Sequence, residues 1–161
     1  MSEMAMYRRW QLRSIDRNVR TLTRLITSID NPAALQKRDG GDGWTISEVL
    51  GHLCDFEVYF GARARHIGAD AEEPPQLRMS PAESVVAQGY AQQAADVLLE
   101  RWRGLRADNL AFYQSLDVED DELWQGSVPF GSGPFSLDNQ LILHAMHDCD
   151  HMDQIVKIIE G

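Results

Sequence analysis

Cysteine is nearly absent: Cys54 and Cys149 are the only two in 161 residues. That is too few for a disulfide framework and fits free thiols in a reducing compartment. Long apolar runs are missing too. No stretch approaches the ~20 apolar residues that span a bilayer, and residues 1–10 carry Arg8 and Arg9 without an apolar run. The expectation is a cytoplasmic protein with no membrane partner. Positive charge is scarce, since fifteen Lys and Arg against twenty-five Asp and Glu leave a net charge of −10. Such a field repels phosphate backbones, which argues against nucleic acid as a partner. No repeat period suggests a solenoid, and no block is of low complexity.

What remains is an ordinary globular composition, 43% hydrophobic and 25% charged, read as a single domain over residues 1–161. A chain of this length buries roughly 70% of its unfolded surface, enough for a core without staples. From Leu12 the apolar residues Ile15, Val19, Leu22, Ile26 and Ile29 recur by threes and fours, the seam of a packed helix that ends near Asp30-Asn31-Pro32. Arg38-Asp39-Gly40-Gly41-Asp42-Gly43 reads as a loop. Thr45-Ile46-Ser47-Glu48 then has the capping-box form and opens a second helix with Ile46, Val49, Leu53, Phe56 and Phe60 on one face.

Residues 68–75 hold Gly, acids and a Pro pair and read as a polar linker. Ser80-Pro81-Ala82-Glu83 begins a third helix, with Ala94, Leu98, Trp102, Leu105, Phe112 and Leu116 inward and Glu100, Arg101, Arg103 and Arg106 mostly outward. Residues 117–134 read as irregular, ending in the turn cluster Pro129-Phe130-Gly131-Ser132-Gly133-Pro134. Ser136 caps a last helix that runs to about Glu160. Four helical patterns with no alternating strand segment give an all-α protein, an antiparallel four-helix bundle.

The last helix carries the chemistry. Leu137, Leu141, Ile155 and Ile158 mark its buried stripe, and His144, His147 and His151 lie in that stripe with Gln140, Asp148 and Gln154. Buried polar groups need partners, each unpaired one costing on the order of 1–3 kcal/mol. His147 and His151 stand one turn apart and can bite a single cation from one face. His52, on the flank of the second helix's stripe, is the third candidate ligand. Three imidazoles with an open fourth position is the layout of a catalytic divalent site. Cys54 and Cys149 each follow a candidate ligand by two residues, a rotation of about 200°, and should face away.

The bland alternative is a set of core histidines satisfied by Gln140, Gln154, Asp148 or backbone. His144 either lines the site or ligates from a different height. Asp55 and Asp148 are candidate acceptors for a ligand's free ring N–H, though Asp55 could equally be a solvated helix acid, as Asp150 is read to be. Tyr59 is assigned to packing and His66 to the solvated end of the second helix.

These segments resemble a known family. Trp44-Thr45-Ile46-Ser47-Glu48-Val49-Leu50-Gly51-His52-Leu53 is similar to the helix-two signature of the DinB/YfiT-like four-helix-bundle metalloproteins. His147-Asp148-Cys149-Asp150-His151-Met152-Asp153-Gln154-Ile155 is similar to their last-helix signature. Arg103-Gly104-Leu105-Arg106-Ala107-Asp108-Asn109-Leu110 and the turn at 131–135 extend the likeness over nearly the whole chain. The resemblance implies up-down-down-up connectivity, a homodimer, and a divalent metal held by His52, His147 and His151. It also implies a thiol-dependent transferase or isomerase using a low-molecular-weight thiol. Two functions stand open: an enzyme in which the metal activates a thiol or water for S-transfer or hydrolysis, or a non-catalytic stress-response module whose metal ties helices together. All-imidazole ligation suits zinc, with nickel, iron or copper as alternatives.

Overall fold

Four long helices dominate the computed structural model, which describes residues 2–41, 43–73, 79–130 and 133–161. Asp42, Pro74, Pro75, Gly131 and Ser132, parts of the loop and turn readings above, lie outside the described residues. Helix α1 (Glu3–Thr27) begins where the Ser2 hydroxyl accepts the Ala5 amide at 3.1 Å. Helix α2 (Ile46–Ala69) starts at the expected capping box of Thr45 and Glu48. Helix α6 (Leu137–Glu160) starts at a capping box of Ser136 with Asn139.

The third helical pattern divides in two. A short α3 (Pro81–Ala87) is followed by Gly89 at φ 63°, a left-handed conformation suited to glycine, and by a 3-10 turn over Tyr90–Gln92. Only then does α4 (Ala95–Ser115) begin, with Ala94 exposed at its N-cap instead of inward. The apolar stripe of this pattern starts at Ala94, after the break, so periodicity carries no sign of it. The stretch read as irregular holds α5 (Asp121–Gln125) and an antiparallel ribbon, β1 (Ser127–Phe130) paired with β2 (Gly133–Ser136). The chain therefore has two short strands after all.

Side-chain pairs fix the helix directions. Arg8 and Asn18 of α1 bond Asp138 and Asp148 of α6, so those two helices run parallel. Cys54 and Glu57 of α2 meet Leu98 and Arg106 of α4, also in parallel. His52 and Arg63 of α2 meet His147 and Gln140 of α6, which run antiparallel to them. The order is up-down-down-up, and the return over residues 70–94 must cover the ~36 Å length of a 24-residue helix. Two of the neighbouring pairs are thus parallel, which short-loop antiparallel packing alone does not predict.

Two apolar clusters fill the bundle. One gathers Leu22, Val49, Leu53, Leu98, Trp102 and Ile155; the other gathers Leu12, Ile15, Leu110, Tyr113, Leu137 and Leu141. Between them lies a buried polar layer of Asn18, Glu57, Arg106, Asn109, His144 and Asp148. Arg106, expected outward, is fully buried at its centre. Its guanidinium reaches both Asp148 oxygens at 2.7 and 2.8 Å, bonds Glu57, and donates to the Ile15 carbonyl at 3.3 Å. Asn18 completes Asp148 at 3.0 Å, and Asn109 bonds Glu57 at 2.8 Å.

Removing one partner from such a layer strands the opposite charges without water, at a cost of about 3–5 kcal/mol. Arg106→Met, which keeps volume and drops the charge, is expected to lower the unfolding free energy measured by urea titration by that order. A loss below about 1 kcal/mol would show that the layer is not what holds the four helices in register.

Candidate metal centre

His52 projects from α2, and His147 and His151 from successive turns of α6, where the two helices run antiparallel. One ring nitrogen from each of the three lies within 4.8 Å of the others. The Nε2 atoms of His52 and His147 are 3.1 Å apart. Without an ion, one ring donates to the other at that distance; with one, both lone pairs turn to it. Two imidazole nitrogens at 2.0–2.1 Å from a tetrahedral ion stand about 3.3 Å apart, so the pair fits a shared cation with little adjustment. Among the described residues no other His, Cys, Asp or Glu joins this group.

Aromatic rings wall the cluster. Phe56 stacks on His147 with centroids 4.5 Å apart and an interplanar angle of 23°. Trp44, just before the α2 cap, lies near-parallel to His151 and packs against His52. Burial in this collar disfavours imidazolium. It is the main cause that pushes His52 down to about 3 and His147 down to about 2, with neighbouring imidazoles adding to it. Burial lowers His151 as well, opposed by its hydrogen bond to Gln154. All three rings are therefore neutral at pH 7, the form in which a histidine ligates.

The remaining candidates go elsewhere. His144 shares the stripe but directs Nε2 to Glu57 at 2.9 Å, in the polar layer. Glu57 would be raised by burial, yet His144 and Arg106 outweigh that and hold its carboxyl well below the usual range. Asp148 serves Arg106 and Asn18. Asp55 accepts from Tyr90 and Ser84, pinning the return segment onto α2 rather than orienting a ligand ring.

Cys54 is buried on the α4 side, where its thiol donates to the Leu98 carbonyl and burial pushes it up to about 12; Cys149 is exposed. Tyr59 packs its ring on Phe56 and Phe60. His66, at the α2 end, donates Nδ1–H to the Ala71 carbonyl.

Glu57 carries no signal in the sequence reading, and Arg106, which reads as mostly outward there, is buried. The stripe Ala95, Leu98, Trp102, Arg106, Asn109, Tyr113, stepping by threes and fours, passes through Arg106 and was the available signal.

The model of one protein family, the DinB superfamily, matches residues 14–155. No curated protein matches the chain.

The depressed imidazoles give the metal-free protein a pH signature. In the unfolded chain these rings take up protons near pH 6.5, whereas the folded state holds His52 and His147 neutral to about 3 and 2. The unfolded state thus binds more protons below pH 6.5, and stability is lost as pH falls through that window. For the buried His52 the slope approaches about 1.4 kcal/mol per pH unit, with a smaller share from the half-buried His147. Urea denaturation of metal-free protein between pH 7.5 and about 5 checks this, and His52→Phe should flatten the profile. Stability rising on acidification would contradict the assignment.

Proposed function

We propose that this chain, which belongs to the DinB superfamily, is a metal-dependent enzyme whose three histidines, His52, His147 and His151, hold one divalent ion. The observation that carries this reading is the convergence of three neutral ring nitrogens within 4.8 Å, with no fourth protein donor among the described residues. When bound, such an ion lowers the pKa of a small thiol or water at its open position, for S-transfer or hydrolysis.

The chain's own part is to present neutral imidazoles and to keep the rings in a semi-dry aromatic collar of Trp44 and Phe56. It supplies no thiolate of its own, since Cys54 lies on the far side of α2 and Cys149 is exposed. This favours a substrate-borne nucleophile, a low-molecular-weight thiol above all. Zinc suits an all-imidazole donor set, with nickel or iron as alternatives. Both cysteines are free, consistent with work in the cytoplasm. No helix among the described residues is long and apolar enough to cross a membrane. Exposed Tyr7, Trp10, Ile142 and Met146 provide an apolar face on α1 and α6 for a homodimer.

The rival reading, a non-catalytic site closed by a fourth ligand, needs His144. Its bond to Glu57 weighs against that role.

Elemental analysis of purified protein should find a single divalent ion per chain, lost or sharply reduced in each of His52→Ala, His147→Ala and His151→Ala. Stoichiometric metal in all three variants would overturn the ligand set. In cobalt-substituted protein, excess thiol should add an intense sulfur-to-metal charge-transfer band, and His144→Ala should keep its metal. A spectrum indifferent to several thiols, together with metal loss in His144→Ala, would favour the closed structural site.

A further inference from the structure

The loop ahead of α2 does more than connect. Gly40 and Gly41, at φ 63° and 45°, turn the chain so that Asp39 N–H meets the Trp44 carbonyl at 3.0 Å and Arg38 bridges to Thr45. Arg38 also donates to the Gly43 carbonyl and to Glu48, tying this turn to the α2 cap. Two side chains of the turn then reach α6. Trp44 lies near-parallel to the His151 ring, and Asp39 Oδ2 accepts from Gln154 Nε2 at 3.0 Å. Gln154 Oε1 in turn stands 2.8 Å from His151 Nδ1.

The order of donors in this chain is forced. An amide's oxygen and nitrogen have the same shape, so partners decide which faces which way. A carboxylate at neutral pH only accepts, which obliges Gln154 to turn its NH2 group toward Asp39 and its oxygen toward His151. An amide oxygen accepts only, so His151 must carry its hydrogen on Nδ1. The lone pair is then left on Nε2, the other ring nitrogen. In the reversed arrangement Gln154 would set oxygen against the Asp39 carboxylate and give His151 the opposite tautomer.

We propose that Asp39, acting through Gln154, is a positioning residue that holds His151 as its Nδ1–H tautomer and so reserves Nε2 for the metal. This rests on the three-histidine reading above, but its first test needs no metal. Without the chain, His151 would relax toward the Nε2–H form that unconstrained histidine favours in water, and loading an ion would first require moving that proton. The effect of an outer partner of this kind is typically 10–100-fold in metal affinity.

Long-range 15N–1H NMR of the His151 ring in metal-free protein at about pH 8, where histidine is neutral, reads the tautomer directly. The wild type should show Nδ1 protonated. Gln154→Leu, which removes both hydrogen bonds, should shift His151 toward Nε2–H and weaken zinc binding, measured by competition with a chromophoric chelator, by 10–100-fold.

Asp39→Asn should give mixed tautomers, because an amide at position 39 can face Gln154 either way round. Asp39→Asn combined with Gln154→Glu should restore Nδ1–H, since the new carboxylate accepts from both sides. Loss of packing alone would not be rescued in this way. His151 protonated at Nε2 in the wild type, an unchanged tautomer in Gln154→Leu, or zinc affinity within about twofold of wild type in that variant would each overturn the proposal. Absence of zinc binding by the wild type would instead overturn the ligand set, leaving the tautomer result to judge the chain of bonds by itself.

Discussion

The four long helices of this bundle meet at one buried arginine. Arg106 of α4 touches Glu57 of α2, Asp148 of α6 and the Ile15 carbonyl of α1, so one planar guanidinium addresses all four long helices. Apolar contacts are non-directional and would tolerate sliding or rotation of any helix by a fraction of a turn. A five-donor fork between two carboxylates would not, because any such slip leaves a charge in the core unmatched. The two apolar clusters above and below supply the burial, and the layer between them specifies where each helix stops rotating.

That constraint also builds the three-histidine cluster. Asp148 sits beside His147 in sequence and Glu57 lies five residues beyond His52, so clamping the two acids fixes the azimuth of both histidines. It also explains why His144 stays out of the cluster. Three residues before His147, it lies ~4.5 Å lower along the α6 axis, level with Glu57, whose Oε1 it bonds. The stripe of histidines thus divides by height, with His144 serving the layer and His147 and His151 meeting His52.

How legible this was in the sequence follows from which signals are local. Helix starts at Thr45 and Ser136 were readable because a cap is a four-residue event, and the pair His147 and His151 because a helical turn fixes its geometry. Glu57 and Arg106 were not readable with equal ease. An arginine on a helix is by default solvated, and its burial is decided by acids 49 and 42 residues away. The break at Gly89 escaped for the opposite reason: it is made by local backbone turns, a left-handed glycine and a 3-10 turn, ahead of the apolar stripe that marks α4. Asp55 shows a third limit, since its i+3 spacing from His52 is as compatible with reaching Tyr90 and Ser84 as with supporting a ligand.

The loop over residues 37–45 joins these levels. Read as a run of helix breakers, it is a spacer; folded, its two left-handed glycines bring Trp44 and Asp39 to the same side, over the end of α6. The first contact is apolar and shields the rings, and the second is polar and directional. Shielding keeps the imidazoles neutral, but neutrality alone leaves each ring two tautomers. An orienting contact has to come from outside the apolar collar, from a group that can only accept, and in this chain an exposed carboxylate on the α1–α2 loop supplies it through an amide of the helix that carries His151.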